Sequence, residues 1–124
     1  MKRVIEILPV AKPRMTRRDK WLNPPRPAVA QYRAFADELR YLLHGYEVPP
    51  VFDIIFYLPC PPSWSAKKRR EMHGKPHQQK PDIDNIIKAW LDSLTVDDAY
   101  VYDVHAAKYW TDGDGYIVLE SETP

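Results

Sequence analysis

Proline interrupts this chain of 124 residues 13 times, and its placement restricts where helices and strands can form. Proline has no backbone N–H donor and clashes with the preceding helical turn, so it is kept out of helix interiors and central strands. Two stretches hold most of the prolines, at Pro9, Pro13, Pro24, Pro25, Pro27, Pro59, Pro61 and Pro62. We therefore predict an irregular arm at about 9–27 and the end of a strand at residue 58.

Hydrophobic periodicity predicts the regular elements between these connections. Residues 83–94 give the clearest pattern, because six apolar side chains recur three or four positions apart and share one helix face. We expect helices at 28–44 and 83–94, one or two helical turns around 66–72, and strands at 2–8, 51–58, 100–110 and 115–120. The Asp112–Gly115 segment predicts a tight hairpin between the last two strands. Together the elements indicate a single small α/β domain over residues 1–124, with a mixed β-sheet and two main helices packed on it.

Charge is distributed unevenly along the chain, although the net charge is only +1. Residues 12–33 contain seven basic residues and one acidic residue, and the basic loop at about 63–80 contains six basic and one acidic. The following stretch, 82–103, contains six aspartates and one lysine. A phosphodiester-cleaving enzyme needs cations that hold the phosphate backbone and carboxylates that hold a metal ion. The partition therefore favours such an enzyme over a purely structural domain.

The cysteine content and the N-terminal residues indicate the compartment. Cys60 is the only cysteine, which excludes a disulfide within the chain and a cysteine-rich zinc site. No apolar run approaches the roughly 18 residues that span a bilayer. Glu6 stands where a signal peptide would need an apolar stretch. We therefore expect a cytoplasmic protein that does not associate with membranes.

The candidate catalytic group lies at the start of the second helix. Asp82 and Asp84 would both stand at the helix entrance, and Lys88 would follow one turn later on the same face. A return of the chain after the helix would bring Asp97 or Asp98 beside its start. Mg²⁺ prefers oxygen ligands and keeps positions for water and phosphate, so two or three aspartates and a lysine suffice for phosphodiester hydrolysis.

Each of these residues also has an ordinary structural explanation. Asp82 can cap the helix, and Asp84 can interact with the helix dipole. Asp84 and Lys88 can form an ion pair worth a few tenths of a kcal/mol. The charge partition favours the functional explanation without deciding it.

Several motifs together resemble the RusA family of Holliday-junction resolvases, in its phage and prophage branch. The motifs are Asp82-x-Asp84-Asn85-x-x-Lys88, the later Asp97-Asp98, the arm Lys12–Arg17, and Gly74-Lys75-Pro76-His77-x-x-Lys80-Pro81-Asp82. The resemblance implies a homodimeric endonuclease with a small α/β fold and Mg²⁺ as cofactor, for which we expect Mn²⁺ to substitute. It assigns catalysis and metal binding to Asp82, Asp84 and Asp98 and a catalytic role to Lys88, and it leaves the part of Asp97 open.

The remaining candidates concern contact with DNA. Phosphate contacts are expected from Arg14, Arg17, Arg18, Lys67, Lys68, Arg69, Arg70, Lys75 and Lys80, with a solvated surface as the alternative. Trp21 and Trp64, inside the basic loops, could equally stack on unpaired bases or pack, whereas Trp110 favours core packing. For His73-x-x-x-His77 a zinc site is disfavoured, because no second pair of ligands stands nearby.

These observations predict a homodimeric resolvase that makes paired, symmetric cuts in a four-way DNA junction. In-line attack of water on the phosphorus would leave 5′-phosphate and 3′-hydroxyl ends. Two other functions stay open: a related nuclease that prefers flaps or forks, and a basic DNA-binding module without catalysis.

Overall fold

The computed structural model describes residues 2–120 of the chain; Met1 and residues 121–124 of the predicted domain lie outside the described residues. Along the chain the elements are β1 (Lys2–Ile5), α1 (Pro27–Leu42), β2 (Val51–Pro59), α2 (Ala66–Met72), α3 (Ile83–Leu94), β3 (Asp103–Thr111) and β4 (Tyr116–Glu120). Their types and order confirm the predicted α/β class. The first strand is shorter than predicted, because the chain turns after Ile5 and the Ile7 amide donates back to the Ile5 carbonyl at 2.9 Å.

Local sequence explains where the helices begin and end. Pro27 occupies the first position of α1, where its missing N–H costs nothing. Gly45, with φ of 80°, lets the chain reverse after α1. α2 is capped by Ser65, whose hydroxyl accepts a hydrogen bond from the Lys68 amide at 3.1 Å.

The four strands form one sheet in the order β1-β4-β2-β3. β2 and β3 are parallel, with Val51 opposite Asp103, whereas β4 is antiparallel to both β1 and β2. The parallel pair requires a crossover, which α2 and α3 supply.

The predicted hairpin between the last two strands is wrong, because β2 lies between β3 and β4. The Asp112–Gly115 connection instead crosses the end of β2. Gly115 is needed there for space, since a Cβ atom would lie 2.7 Å from Leu8 Cδ1 and 3.1 Å from the Tyr57 carbonyl oxygen. A local Asp-Gly signal cannot reveal which strand will be inserted between its two neighbours.

The core lies between one face of the sheet and the helices α1 and α3. Phe52, Ile54 and Phe56, at alternating positions of β2, are buried against side chains of both helices, including Leu39 and Trp90. α1 and α3 run side by side, and the Arg40 guanidinium donates to the Ser93 carbonyl at 2.8 Å, near both C-terminal ends. None of the helices between residues 2 and 120 has both the length and the apolar character required to cross a membrane.

Candidate metal and DNA-binding site

Asp82 occupies the N-cap position of α3, and its carboxylate is exposed. An aspartate at this position normally accepts a hydrogen bond from an amide of the first turn, but Asp82 makes no such bond. Asp84, also exposed, lies in the first turn and accepts from the Asn85 amide at 3.0 Å. Two carboxylates with accessible oxygen atoms therefore stand together where the helix dipole is positive.

Lys88 is exposed on the polar face of α3, one turn after Asp84. The ion pairs found among residues 2–120 do not include Asp84 with Lys88. An ion pair between Asp84 and Lys88, the simplest structural explanation of their spacing, is therefore not observed, and the Lys88 side chain is exposed to solvent.

A long-range contact that the sequence did not reveal fixes the chain in front of Asp82. The segment 74–81 runs along the free edge of β3, where the Gly74 amide donates to the Trp110 carbonyl at 2.9 Å and the His77 amide to the Lys108 carbonyl at 3.1 Å. The Lys108 ammonium then donates to the carbonyl oxygens of Gln79 and, at 2.7 Å, of Pro81. Lys108 thus ties the last residue before Asp82 to the sheet.

The structure does not bring Asp98 to Asp82 and Asp84 within one chain, contrary to the expectation that the chain returns after the helix. α3 has 12 residues and spans about 18 Å, with Asp82 before its first residue and Asp98 beyond its last. The loop that contains Asp98 leads to the start of β3, where the Tyr102 amide donates to the Pro50 carbonyl at 3.0 Å. Within residues 2–120, no three His, Cys, Asp or Glu side chains form a group that could hold a metal ion.

The two aspartates after α3 differ in their surroundings. The Asp97 carboxylate accepts a hydrogen bond from the Ala99 amide at 3.0 Å and so stabilises a turn. Asp98 contributes its backbone carbonyl to the same turn, accepting from the Val101 amide at 3.0 Å, and its side chain is half-buried. Of the two, Asp98 has the carboxylate that the local turn does not use.

The basic arm (residues 9–27) begins beside this site. The Lys12 amide donates to the Asn85 carbonyl at 3.0 Å, and its ammonium pairs with Asp92 at 2.8 Å. Burial lowers the pKa of Lys12, but the hydrogen bond to Asp92 and the charges of Tyr32 and Asp92 outweigh it, so this pKa lies above its ordinary value. The start of the arm is therefore attached to α3 at two points, Asn85 in the first turn and Asp92 in the last.

Farther along the arm, a buried carboxylate organises the backbone. Asp19 is only 2% exposed. It accepts two hydrogen bonds from the Arg26 guanidinium, both at 2.8 Å, and others from the Thr16 amide at 2.6 Å and the Thr16 hydroxyl at 3.1 Å. The Arg26 guanidinium, with the Thr16 amide, holds the pKa of Asp19 well below its usual range. The arm is therefore an ordered loop, although the sequence predicted it only as irregular.

Most of the predicted DNA contacts are available to a ligand. Exposed side chains are found at Arg14, Arg17, Arg18, Lys67, Lys68, Arg70, Lys75 and Lys80. Arg69 is the exception, because it is half-buried and lies 3.7 Å from Asp112. Its role in holding α2 against the end of β3 makes it a weaker candidate than its neighbours.

Trp64 and His77 of the basic loop pack against Trp110 of β3. Trp110 is buried, as predicted, with ring centroids 4.8 Å from Trp64 and 4.0 Å from His77. Burial and the charge of Lys108 lower the pKa of His77, and His73 Nδ1 accepts a hydrogen bond from the Asp112 amide at 2.9 Å. Trp64 therefore belongs with the packing residues, while Trp21 is 78% exposed.

Comparison with known proteins adds one finding to this geometry. A family model described as endodeoxyribonuclease RusA matches residues 5–120, which is nearly the whole chain. No curated protein and no solved structure matches the chain.

Proposed function

Because this chain belongs to the RusA endodeoxyribonuclease family, we propose that it is a Mg²⁺-dependent, homodimeric resolvase of Holliday junctions that acts in the cytoplasm. Family membership makes the chain a nuclease with DNA as its substrate; the metal, the four-way junction and the dimer belong to the proposal. The observation that carries it is the Asp82 carboxylate, which stands beside Asp84 at the start of α3 without capping the helix.

The donor set at this end of α3 suits Mg²⁺. Asp82 and Asp84 offer exposed carboxylate oxygens, which are the ligands that Mg²⁺ and Mn²⁺ prefer. When bound, the ion would supply positive charge at the scissile phosphate and lower the pKa of the attacking water. Two carboxylates leave the remaining positions to water and phosphate oxygens.

The protein's own side chains would bind and orient the DNA around this point. Lys88 would contact the non-bridging oxygens of the scissile phosphate, and the exposed cations of the arm and of α2 would hold the flanking backbone. Water attacks the phosphorus in line, the bond from phosphorus to the 3′ oxygen breaks, and that oxygen gains a proton. The products carry 5′-phosphate and 3′-hydroxyl ends.

A twofold dimer offers a role for Asp98 despite its distance from Asp82. Antiparallel placement of two α3 helices would set the N-terminal end of each beside the loop that follows the other. Asp98 of the second copy would then join Asp82 and Asp84 of the first. By symmetry, each dimer would contain two such sites. The same symmetry matches the paired cuts that resolve a four-way junction.

The test compares a synthetic four-way junction with a flap, a fork and a linear duplex, each with and without Mg²⁺. Asp82→Asn and Asp84→Asn should lower junction cleavage roughly a thousandfold, because several kcal/mol of transition-state stabilisation are lost. Junction binding should stay near normal, since less negative charge then faces the phosphates. Asp37→Asn, at an exposed position of α1, is the control and should cleave normally.

An Asp82→Asn protein that cleaves at the normal rate in Mg²⁺ removes this residue from the site. If flaps or forks are cleaved in preference to junctions, the protein is a flap-directed or fork-directed nuclease and not a resolvase. If the protein binds junctions but cleaves no substrate, it is a DNA-binding module and not an enzyme. The proposed placement in the phage and prophage branch rests only on the arm and the Gly74–Asp82 motif.

A further inference from the structure

Trp21 stands at the turn of the basic arm and is the exposed member of the four tryptophans. Its side chain is 78% exposed, whereas Trp90 and Trp110 are buried and Trp64 is half-buried against Trp110. Trp21 ranks among the most exposed large apolar side chains of residues 2–120. Burial of the Trp21 indole would be favourable, so this ring can contribute free energy to the binding of a ligand.

The backbone beneath Trp21 is held in place rather than free to collapse onto the protein. The Trp21 amide donates to the Arg18 carbonyl at 3.0 Å, and the preceding turn is closed by the buried Asp19. The Arg26 guanidinium donates two hydrogen bonds to the Asp19 carboxylate, and the Arg33 guanidinium donates one to the Asp19 carbonyl at 3.3 Å. A ligand that stacks on the indole therefore meets a ring whose supporting loop is already ordered, which lowers the entropy cost of binding.

The charges around the ring indicate what the ligand is. The Lys20 ammonium lies 5.1 Å from the Trp21 ring centroid, and Arg17 and Arg33 line the same surface recess. Asp19, the acidic residue of this recess, is buried and paired with Arg26. A flat aromatic face beside several cations fits a nucleotide, which joins a stacking base to a phosphate.

The arm also lies at the right end of the molecule for contact with the substrate. Lys12 ties its beginning to Asn85 in the first turn of α3, and Tyr32, below Lys12, belongs to the N-terminal half of α1. Since the C-terminal ends of α1 and α3 meet at Arg40 and Ser93, the arm is at the end that carries Asp82. Fully paired duplex hides its base faces, whereas a branch point can offer an unstacked base.

We propose that Trp21 is a stacking residue that receives an unpaired nucleobase at the branch point of the DNA, with Lys20, Arg17 and Arg33 facing its phosphate. The proposal rests on the proposed function in one respect, namely that the substrate is branched DNA. It assigns recognition of the branch to the arm and cleavage to the start of α3.

The test measures metal-free binding, so that it does not depend on cleavage. A four-way junction with 2-aminopurine at the branch point and a linear duplex of the same arm sequence are titrated with wild type, Trp21→Ala and Trp21→Phe. Tyr41→Ala, which removes an 82% exposed aromatic side chain from α1, is the matched control. Melting curves check that each variant is folded, and light scattering checks its oligomeric state.

Trp21→Ala should weaken junction binding about tenfold and duplex binding less than about twofold, since stacking on one base contributes roughly that factor. It should also abolish the quenching of 2-aminopurine, while Trp21→Phe keeps part of both effects and Tyr41→Ala keeps both in full. Equal losses on junction and duplex, or unchanged 2-aminopurine quenching, would overturn the proposal. A change in oligomeric state would also overturn it, by assigning the indole to an interface between copies.

Failure of the proposed function gives a different result. If the wild-type protein cleaves flaps but not four-way junctions, the proposed resolvase function is wrong. The same titration, on a flap with 2-aminopurine at its branch point, then still tests the role of Trp21.

Discussion

Lys88 is exposed and forms no ion pair with a carboxylate of the described residues, so its charge is available to a ligand. We expect it to act mainly where negative charge develops on the transferring phosphate. Lys88→Ala should lower the single-turnover cleavage rate roughly 100-fold, comparable to loss of one transition-state donor, and should change junction affinity much less. Lys88→Arg should recover little of the rate, because a planar guanidinium does not replace a compact ammonium. Equal losses in rate and affinity would make Lys88 a simple phosphate anchor.

Asp19 gives the arm a dependence on pH. Arg26 is the main cause of the low pKa of Asp19. The ionised carboxylate therefore contributes its full stabilisation at pH values above the ordinary aspartate pKa of about 3.9. That stabilisation is lost as the pH falls from about 5 toward the lower folded pKa. Asp19→Asn should therefore lower the Tm at pH 7 and flatten the fall of Tm between about pH 5 and pH 2.

The matched control for this prediction is Asp37→Asn. Asp37 is exposed and pairs only with Arg40 on the surface of α1 at 3.3 Å, so its removal should change the Tm little. An acid-induced fall of Tm that is as steep in Asp19→Asn as in wild type would show that Asp19 does not stabilise the arm.

At the level of elements, the segment between α2 and α3 lies along β3 with a bridge between Pro76 and Tyr109, and Lys108 holds its end. Because the ammonium binds the carbonyls of Gln79 and Pro81, its loss should loosen the backbone that carries Asp82. Lys108→Met should raise the half-saturating Mg²⁺ concentration about tenfold, the lower bound for loss of a residue that orients metal ligands. Junction affinity without metal should stay within about twofold, and Lys108→Arg should restore part of the Mg²⁺ affinity.

Lys2→Met is the comparison for that experiment, since Lys2 is an exposed lysine of β1 at the far edge of the sheet. If the Lys108→Met protein needs no more Mg²⁺ than the Lys2→Met protein, Lys108 does not support the metal site.

The short helix α2 presents three exposed cations, at Lys67, Lys68 and Arg70. If they bind the phosphate backbone, replacing all three with alanine should reduce the steepness of the dependence of log affinity on log salt, by about 0.9 for each phosphate that is no longer neutralised. Arg69 is left unchanged because it lies against Asp112. A salt dependence identical to that of wild type would mean that α2 does not touch DNA.

The elements that sequence predicted well are those specified locally. The limits of α3 follow from its apolar periodicity, and those of α2 follow from the Ser65 cap and the reversal after Met72. The order of strands in the sheet could not be predicted, since insertion of β4 between β1 and β2 depends on contacts across the whole chain. Lys108 was missed for the same reason: it lies 27 residues from Pro81, and no local motif records such a contact.

At the scale of the whole molecule, the proposed dimer would join Asp82 of one copy to Asp98 of the other, because these residues lie before and after α3 within one chain. We expect Asp82→Asn and Asp98→Asn proteins to be inactive separately and partly active when mixed. In a mixed dimer, one site combines both substitutions, whereas the other combines an intact Asp82 with an intact Asp98. Each mixed dimer should therefore nick a supercoiled cruciform without linearising it.

Two comparisons complete that experiment. Mixing Asp82→Asn with Asp84→Asn should restore nothing, because both substitutions affect the same half of the carboxylate set. Light scattering should give about twice the 14.5 kDa mass of the chain. Absence of activity in the first mixture, with exchange of subunits demonstrated, would place the complete site within one copy or remove Asp98 from it.

The pairing of β4 with both β1 and β2 also determines when the protein becomes active during its synthesis. Lys2 is opposite Glu120 and Val4 is opposite Val118, so β1 has no strand to join until residues 116–120 have been made. Contacts this distant in sequence close slowly, and we expect refolding on the order of milliseconds or longer rather than microseconds. A ribosome-bound chain that ends before β4 would carry Asp82 and the basic arm on an incomplete sheet. We therefore expect cleavage activity to arise only after residues 116–120 have been made and have paired with β1 and β2.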